Sequence, residues 1–296
     1  MADLSLIKKL REATGCGIAD CNKALAENND DFEKSVDWLR KKGLASASKK
    51  AGRVASEGLV AVNIEGNIAS VVEVNSETDF VARNDKFQQF VAKVAKEAVK
   101  YGDDIAKFQA DKDEEVKSQI GVIGENIGIR RIASLKVNQG LVVSYIHNAV
   151  ATDMGKIAVL VAFESVASHD KLTEIGKQIA MHIAAAKPDA LNIESVDPAK
   201  LAREIDVLKE QARASGKPDN IIEKMMEGRV RKYYEEVVLL EQAFVMDDKV
   251  KIKDLVANFA KQNGDTKISA FKLFILGEGL EKKENNFAQE VASMTN

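Results

Sequence analysis

From Gly58 onward the chain sets out one structural pattern twice, and a repeat of that size constrains the fold more than any single segment does. The first copy begins Gly58-Leu59-Val60-Ala61-Val62 and continues in the β-branched run from Ile68 to Val74. Helical spacing follows in Phe87, Phe90, Val91, Val94, Ala95 and Ala98. The counterpart lies about 80 to 90 residues later. It runs Gly140-Leu141-Val142-Val143-Ser144-Tyr145, then an apolar stretch from Ile157 to Phe163, then a helix from His169 through Ala186. Each copy closes on a late strand, Ile127 to Val137 in the first and Ile268 to Leu276 in the second, the latter after a helix from Val250 to Gln262. A hairpin, helices and a returning strand in each copy predict an α+β fold: a core of two related α+β subdomains with antiparallel sheets, helices covering one sheet face. The boundaries expected are 55–139 and 140–279.

Before the repeat, three short helices are expected within residues 1–54. Leu4 to Ala13 carries Leu6, Ile7 and Leu10 on one face and closes at Gly15, in the position that tolerates a left-handed backbone. Ile18 to Ala26 forms the second. Asp30 with Glu33 reads as a capping box for a third, which carries Phe32, Val36 and Leu39 and ends at Gly43. Such a bundle is ubiquitin-associated-like, a class that docks partners, and it has little room for a catalytic pocket. Lys41, Lys42, Lys49, Lys50 and Arg53 then crowd a small, polar segment that reads as a linker. No aromatic side chains are interleaved for stacking on bases, which favours a solvated linker over an RNA contact.

Inside the second copy, Asp197 caps a helix with Pro198 at its first position and a stripe of Leu201, Ile205, Leu208 and Ala212, ended by Gly216. Pro218 and Asp219 start a return helix bearing Ile222, Met226, Val230 and Tyr233, so a helical hairpin is inserted at about 197–236. Two readings of such an arm stay open: a contact device, homodimer contacts included, or a protrusion packed on itself. Residues 280–296 form a last module, with one short helix expected around Phe287 to Val291.

The junction between strand and helix in the first copy, Glu73 to Asn84, carries a bulky ring beside a carboxylate. Ser76 and Asp79 can cap one short turn and Asn84 or Asp85 the longer helix, so Thr78 to Arg83 is expected as a separate helical turn with Asp79 and Phe80 outward. By the usual burial of apolar residues near helix starts, Phe80 and Val81 belong instead in the core.

Several chemistries are excluded by what the chain lacks. No G-x-x-x-x-G-K-[ST] loop is present, since Gly155-Lys156 precedes Ile157 and Gly216-Lys217 precedes Pro218. His147, His169 and His182 stand far apart, and none has a second histidine or a cysteine at metal-ligand spacing, so no metal or cofactor is expected. His182 reads as a packed helix histidine. Cys16 and Cys21 cannot build a disulfide framework or a four-thiolate site, and they read as inert thiols of a reducing compartment. A net charge of -3 attracts no nucleic acid globally. The start of the chain has no signal-peptide pattern and no stretch nears 18 apolar residues. A cytoplasmic, non-membrane protein without chemical catalysis of its own is expected.

Five ordered motifs carry a resemblance. Thr14-Gly15-Cys16-Gly17-Ile18-Ala19-Asp20-Cys21-Asn22-Lys23-Ala24-Leu25, Thr78-Asp79-Phe80-Val81-Ala82 and Ile123-Gly124-Glu125-Asn126 are the first three. Met181-His182-Ile183-Ala184-Ala185 and Glu223-Lys224-Met225-Met226-Glu227-Gly228-Arg229 complete the set. Together they resemble the elongation factor Ts family, the nucleotide-exchange factors for the GTPase elongation factor Tu, over nearly the whole chain. The resemblance implies that Thr78, Asp79, Phe80 and Val81 help dislodge magnesium from the GTPase. It further implies that Leu10, Ile18, Ala19, Ile123, Gly124 and His147 supply secondary contacts. Within the N-terminal motif, Cys16, Asn22 and the pair Ile18-Ala19 depart from the residues more common there. No direct nucleic-acid contact is implied. The runner-up reading, from a different class, is an RNA- or ribosome-associated structural protein that uses the basic linker.

Overall fold

A computed structural model describes residues 3–214 and 219–280. Helices α1 (Leu4–Thr14), α2 (Ile18–Glu27) and α3 (Phe32–Lys50) form the N-terminal bundle around Leu10, Cys21, Ala24, Leu25 and Leu39. Gly15 ends α1 at φ +70°, in the left-handed region, as its position predicts. The cap of α3 is Asp31, whose Oδ1 accepts from Lys34 N at 3.1 Å, rather than the expected Asp30. Asn29 and Asp30 are used for the turn, both at positive φ.

The expected linker is also corrected. α3 does not stop at Gly43 but runs on to Lys50, because Gly43 is buried in a crossing with a later helix and Ala47 joins the core of the first repeat. The missing Cβ there permits close approach instead of ending the helix. A Cβ at Gly121 would stand 2.8 Å from Gly43 Cα, whereas one at Gly43 would meet nothing closer than 3.8 Å. The asymmetry yields a test. Gly121→Ala is expected to lose about 1–3 kcal/mol through overpacking. Gly43→Ala is expected to be neutral or to gain up to about 1 kcal/mol of helix propensity. Urea unfolding of the two variants checks both signs.

The first repeat comprises β1 (Glu57–Glu65), β2 (Ile68–Ser76), a 3-10 turn (Val81–Arg83), α4 (Asp85–Ala98), α5 (Ile105–Ile123) and β3 (Gly128–Lys136). The second begins with β4 (Gly140–Ala151), β5 (Met154–Ser165) and α6 (His169–Ala186). The helical hairpin α7 (Pro198–Ala214) and α8 (Asp219–Val237) follows. A small hairpin of β6 (Ala243–Phe244) and β7 (Asp247–Lys251), then α9 (Ile252–Asn263) and β8 (Thr266–Ile275), complete it. Asp197 caps α7 through Ala199 N at 2.8 Å. The residues expected to turn the hairpin, Gly216 and Pro218, and the module after residue 280 lie outside the described residues. β6 and β7 were not expected, and Val250 lies in β7 rather than at the start of α9.

β1 to β5 and β8 join into one antiparallel sheet in the order β3-β2-β1-β5-β4, with β8 also on β5, while β6 and β7 pair apart from it. Alternation along the strands divides their side chains between layers. Leu59, Ala61, Val72 and Val74 face α4, while Val143, Val159, Val161 and Phe163 face α6. The other faces share one apolar layer, in which Val60, Val71 and Leu135 meet Val142, Leu160 and Phe274. The sheet therefore folds over on itself with helices outside. Burial on both faces is why β2 and β5 read as nearly continuous apolar runs.

The two halves repeat in detail. Gly58 and Gly140 take φ of +123° and +126°, and a Cβ on them would strike Val74 O and Phe163 O at 2.2 and 2.1 Å. Next to those contacts, each central strand has a bulge: between Glu73 and Val74 against β3, and between Ala162 and Phe163 against β8.

His182 is fully buried in α6, as a packed helix histidine should be. Its Nε2 lies 2.9 Å from Gln242 Oε1 and its Nδ1 accepts from Val245 N at 3.3 Å, an arrangement that suits the neutral ring. Burial lowers its pKa against the opposing pull of the Gln242 contact. Its contribution to stability is therefore complete above the unfolded value near 6.5 and declines as pH falls below it. A His182→Gln variant should lack that decline, which urea midpoints between pH 7.5 and 5 would reveal as a narrowing gap from wild type.

Candidate partner-binding site

β2 ends at Ser76 and the chain must turn before α4, so the backbone groups of residues 77–80 need partners outside regular structure. The loop after α5 supplies them. Glu125 accepts from Thr78 N at 2.9 Å and from Thr78 Oγ1 at 2.6 Å, and Asn126 N returns a bond to Glu77 Oε1 at 2.6 Å. Ser76, expected as a cap, instead donates through Oγ to Thr78 O at 3.1 Å. Asn84 caps α4 through Lys86 N and Phe87 N, and Gln88 Nε2 donates to Ala82 O at 2.9 Å.

This frame sorts adjacent side chains in opposite directions. Val81 is 7% exposed and Ala82 2%, both inside the core of the first repeat, while Phe80 is 78% exposed and Asp79 is also exposed. The core expectation thus holds for Val81 and fails for Phe80. Among the described residues, Phe80 is the only aromatic among the exposed large apolar side chains. An aromatic ring held in water on a turn anchored at both ends has little motion left to lose on meeting an apolar surface.

Other expected residues converge on the turn. Ile123 ends α5 and Gly124 caps it at φ +90°, directly before Glu125, so the Thr78 contact brings both to the site. The first loop of the bundle is tied in as well: Lys86 Nζ donates to Gly15 O at 2.6 Å, and the space a Cβ would take at Gly15 lies 3.7 Å from Val122 Cγ1. Ile18 and Ala19 begin the next helix exposed, Ile18 at 57%. Leu10 is different. It is wholly buried among Ile7, Leu25 and Leu39, so it supports the bundle from within and offers no surface to a partner. His147 is exposed on β4 in the second half, with Nδ1 3.0 Å from Tyr145 Oη, and no hydrogen bond ties it to the cluster.

Sequence reasoning quoted Glu125 and Asn126 but assigned them no role, and it passed over Glu77 and Lys86. Arg53, read as part of the basic linker, lies beside Glu77 at 3.5 Å, and its carbonyl accepts from Asn126 Nδ2 at 2.8 Å. The basic segment therefore ends at this site. Among the described residues, no group of three His, Cys, Asp or Glu could hold a metal ion, and no helix is long and apolar enough to cross a membrane.

Comparison with known proteins agrees in extent with these motifs. The sequence model of the family described as Elongation factor TS matches residues 77–278. The protein named Elongation factor Ts from Rhodospirillum centenum is 56% identical over 305 aligned residues, covering 99% of each chain. That from Brucella anthropi is 54% identical over 98% of this chain and 97% of its own, and that from Paramagnetospirillum magneticum 53% identical over 98% and 96%. With the match spanning both repeats, the exposed turn and the N-terminal bundle, the chain belongs to the elongation factor Ts family and is a translation elongation factor.

Proposed function

We propose that the protein is a guanine-nucleotide exchange factor that binds elongation factor Tu in its GDP form, dislodges magnesium and releases GDP so that GTP can enter. The observation that carries this reading is the exposed Phe80 on a turn pinned by Glu125. The magnesium belongs to the partner, and this chain performs no chemistry of its own. Phe80 acts as a wedge in an apolar pocket of the GTPase. Asp79 fixes the approach and opposes the nearby phosphate-bearing state. Ile18, Ala19, Ile123 and Gly124 extend the same contact, and His147 adds one from the second half. The setting is the cytoplasm.

Exchange by this route is linkage. A factor that prefers the empty GTPase must weaken nucleotide binding by the same free energy. Burying an aromatic ring supplies about 2–3 kcal/mol, and the secondary contacts raise the coupling to about 3–4 kcal/mol, or 10²- to 10³-fold in affinity. Calorimetric titration of elongation factor Tu tests the linkage. Affinity for this protein should fall by about that factor when GDP and magnesium are saturating; equal affinities in both states would refute exchange.

A further inference from the structure

We infer that Glu73 is a positioning residue: with Arg130 and Arg131 it clasps the turn after β8 to the base of β2, so that contacts on the two halves reach the partner at fixed spacing. This rests on the exchange reading above. Direct strand pairing between the halves is short, extended by Val62 N donating to Asp153 O at 3.0 Å and by two exposed or half-exposed side-chain pairs, Lys156 with Glu57 at 2.8 Å and Lys272 with Asp103 at 2.9 Å. β1 and β5 pair only at Val60 with Gly155 and Ala61 with Met154. The shared apolar layer is non-directional and does not by itself set an angle.

The clasp lies at one end of that layer. Glu73 is fully buried and accepts from Arg130 Nη1 at 3.1 Å, Arg131 Nε at 2.5 Å, Asn75 Nδ2 at 3.1 Å and Gly277 N at 2.9 Å. Adjacent strand residues normally point to opposite faces. Here Glu73 pairs with Arg131 and Val74 with Ile129, which leaves Arg130 as the extra residue of the bulge, and both arginines reach one carboxylate. Their remaining donors go to the second half. Arg131 Nη2 donates to Ile275 O at 2.7 Å, Arg131 Nη1 pairs with Glu278 at 3.0 Å, and Arg130 Nη2 donates to Glu278 O. The Arg131 guanidinium also lies 4.4 Å from the centre of the Phe274 ring.

The second repeat supplies an internal control. Its bulge has the same form but is built from Ala162, Ser269 and Ala270 in place of Glu73, Arg130 and Arg131. The bulge therefore needs no charge. What the ion cluster adds in the first half is attachment to residues 275–278, close to Ser56 O, where a Cβ on Gly277 would stand 2.6 Å away. Thr78 follows Glu73 by five residues on the same strand end.

The test is GDP release from elongation factor Tu over a range of concentrations of wild type, Glu73→Gln and Arg130→Met, with hydrogen exchange followed at residues 275–280. Both variants should exchange faster at that turn. Both should require about tenfold more protein for half-maximal acceleration while keeping the maximal rate, since Phe80 and its Glu125 frame are untouched. Arg130→Met leaves Glu73 paired with Arg131, so it carries the test if Glu73→Gln fails to fold. A loosened turn with an unchanged half-maximal concentration, or a fall in maximal rate alone, would overturn the assignment. Wild type without effect on release would overturn the exchange reading itself, and this role with it.

Discussion

Phe80→Ala is expected to cut the acceleration of GDP release about 30-fold, the equivalent of about 2 kcal/mol for a central aromatic anchor. The unfolding midpoint should barely move. Phe80 is 78% exposed and buries almost nothing in the free protein, and surface changes of this kind stay within about 0.5 kcal/mol. The neighbouring position inverts the pattern. Val81→Ala empties a packed site and should cost about 1–3 kcal/mol of stability, with exchange reduced only as far as the turn loosens. Stopped-flow release and thermal melts on the two variants separate wedge from support. Equal losses of stability and activity in Phe80→Ala would return that ring to a structural role.

Glu73→Ala should be the more damaging change to the fold itself, at about 3 kcal/mol, the lower end for breaking a buried pair because both arginines keep some contact with water. Burial alone would raise the Glu73 pKa. The Gly277 N–H and the hydrogen bond and charge of Arg131 outweigh it, and the carboxyl is held below its ordinary value of 4.5. With a folded value below the unfolded one, the stabilisation is complete above pH 4.5 and is lost as pH falls through the folded value. Urea midpoints of wild type and Glu73→Gln should therefore differ most near neutral pH and converge in acid. A difference independent of pH would mean that Glu73 acts through packing and not through charge.

The sequence pattern carried the repeat because glycine and β-branched residues mark strand starts and strand bodies in both halves. It did not carry the folding-over of the sheet, since a run such as Val71 to Val74 shows that both faces are covered but not by what. α3 was misread at Gly43 because a glycine that ends a helix and one that lets a second helix approach look the same until Gly121 is placed against it. Glu73 looked like the polar boundary of a strand; the bulge that turns two arginines onto it is a register effect with no local signature. At the site, the usual burial of apolar residues argued for Phe80 in the core, while the separate turn expected from the caps and the resemblance of Thr78 to Ala82 to a family motif pointed outward. Its frame was invisible for a plainer reason. Glu125 and Thr78 are 47 residues apart in sequence and meet only through the packing of α5.

Fluorescent GDP release from purified elongation factor Tu at fixed magnesium decides whether the protein exchanges nucleotide. Wild-type protein well below the GTPase concentration should accelerate release by at least tenfold and act repeatedly, because a linked equilibrium consumes no factor. Folded protein that binds the cognate GTPase yet leaves the release rate unchanged at any concentration would rule exchange out.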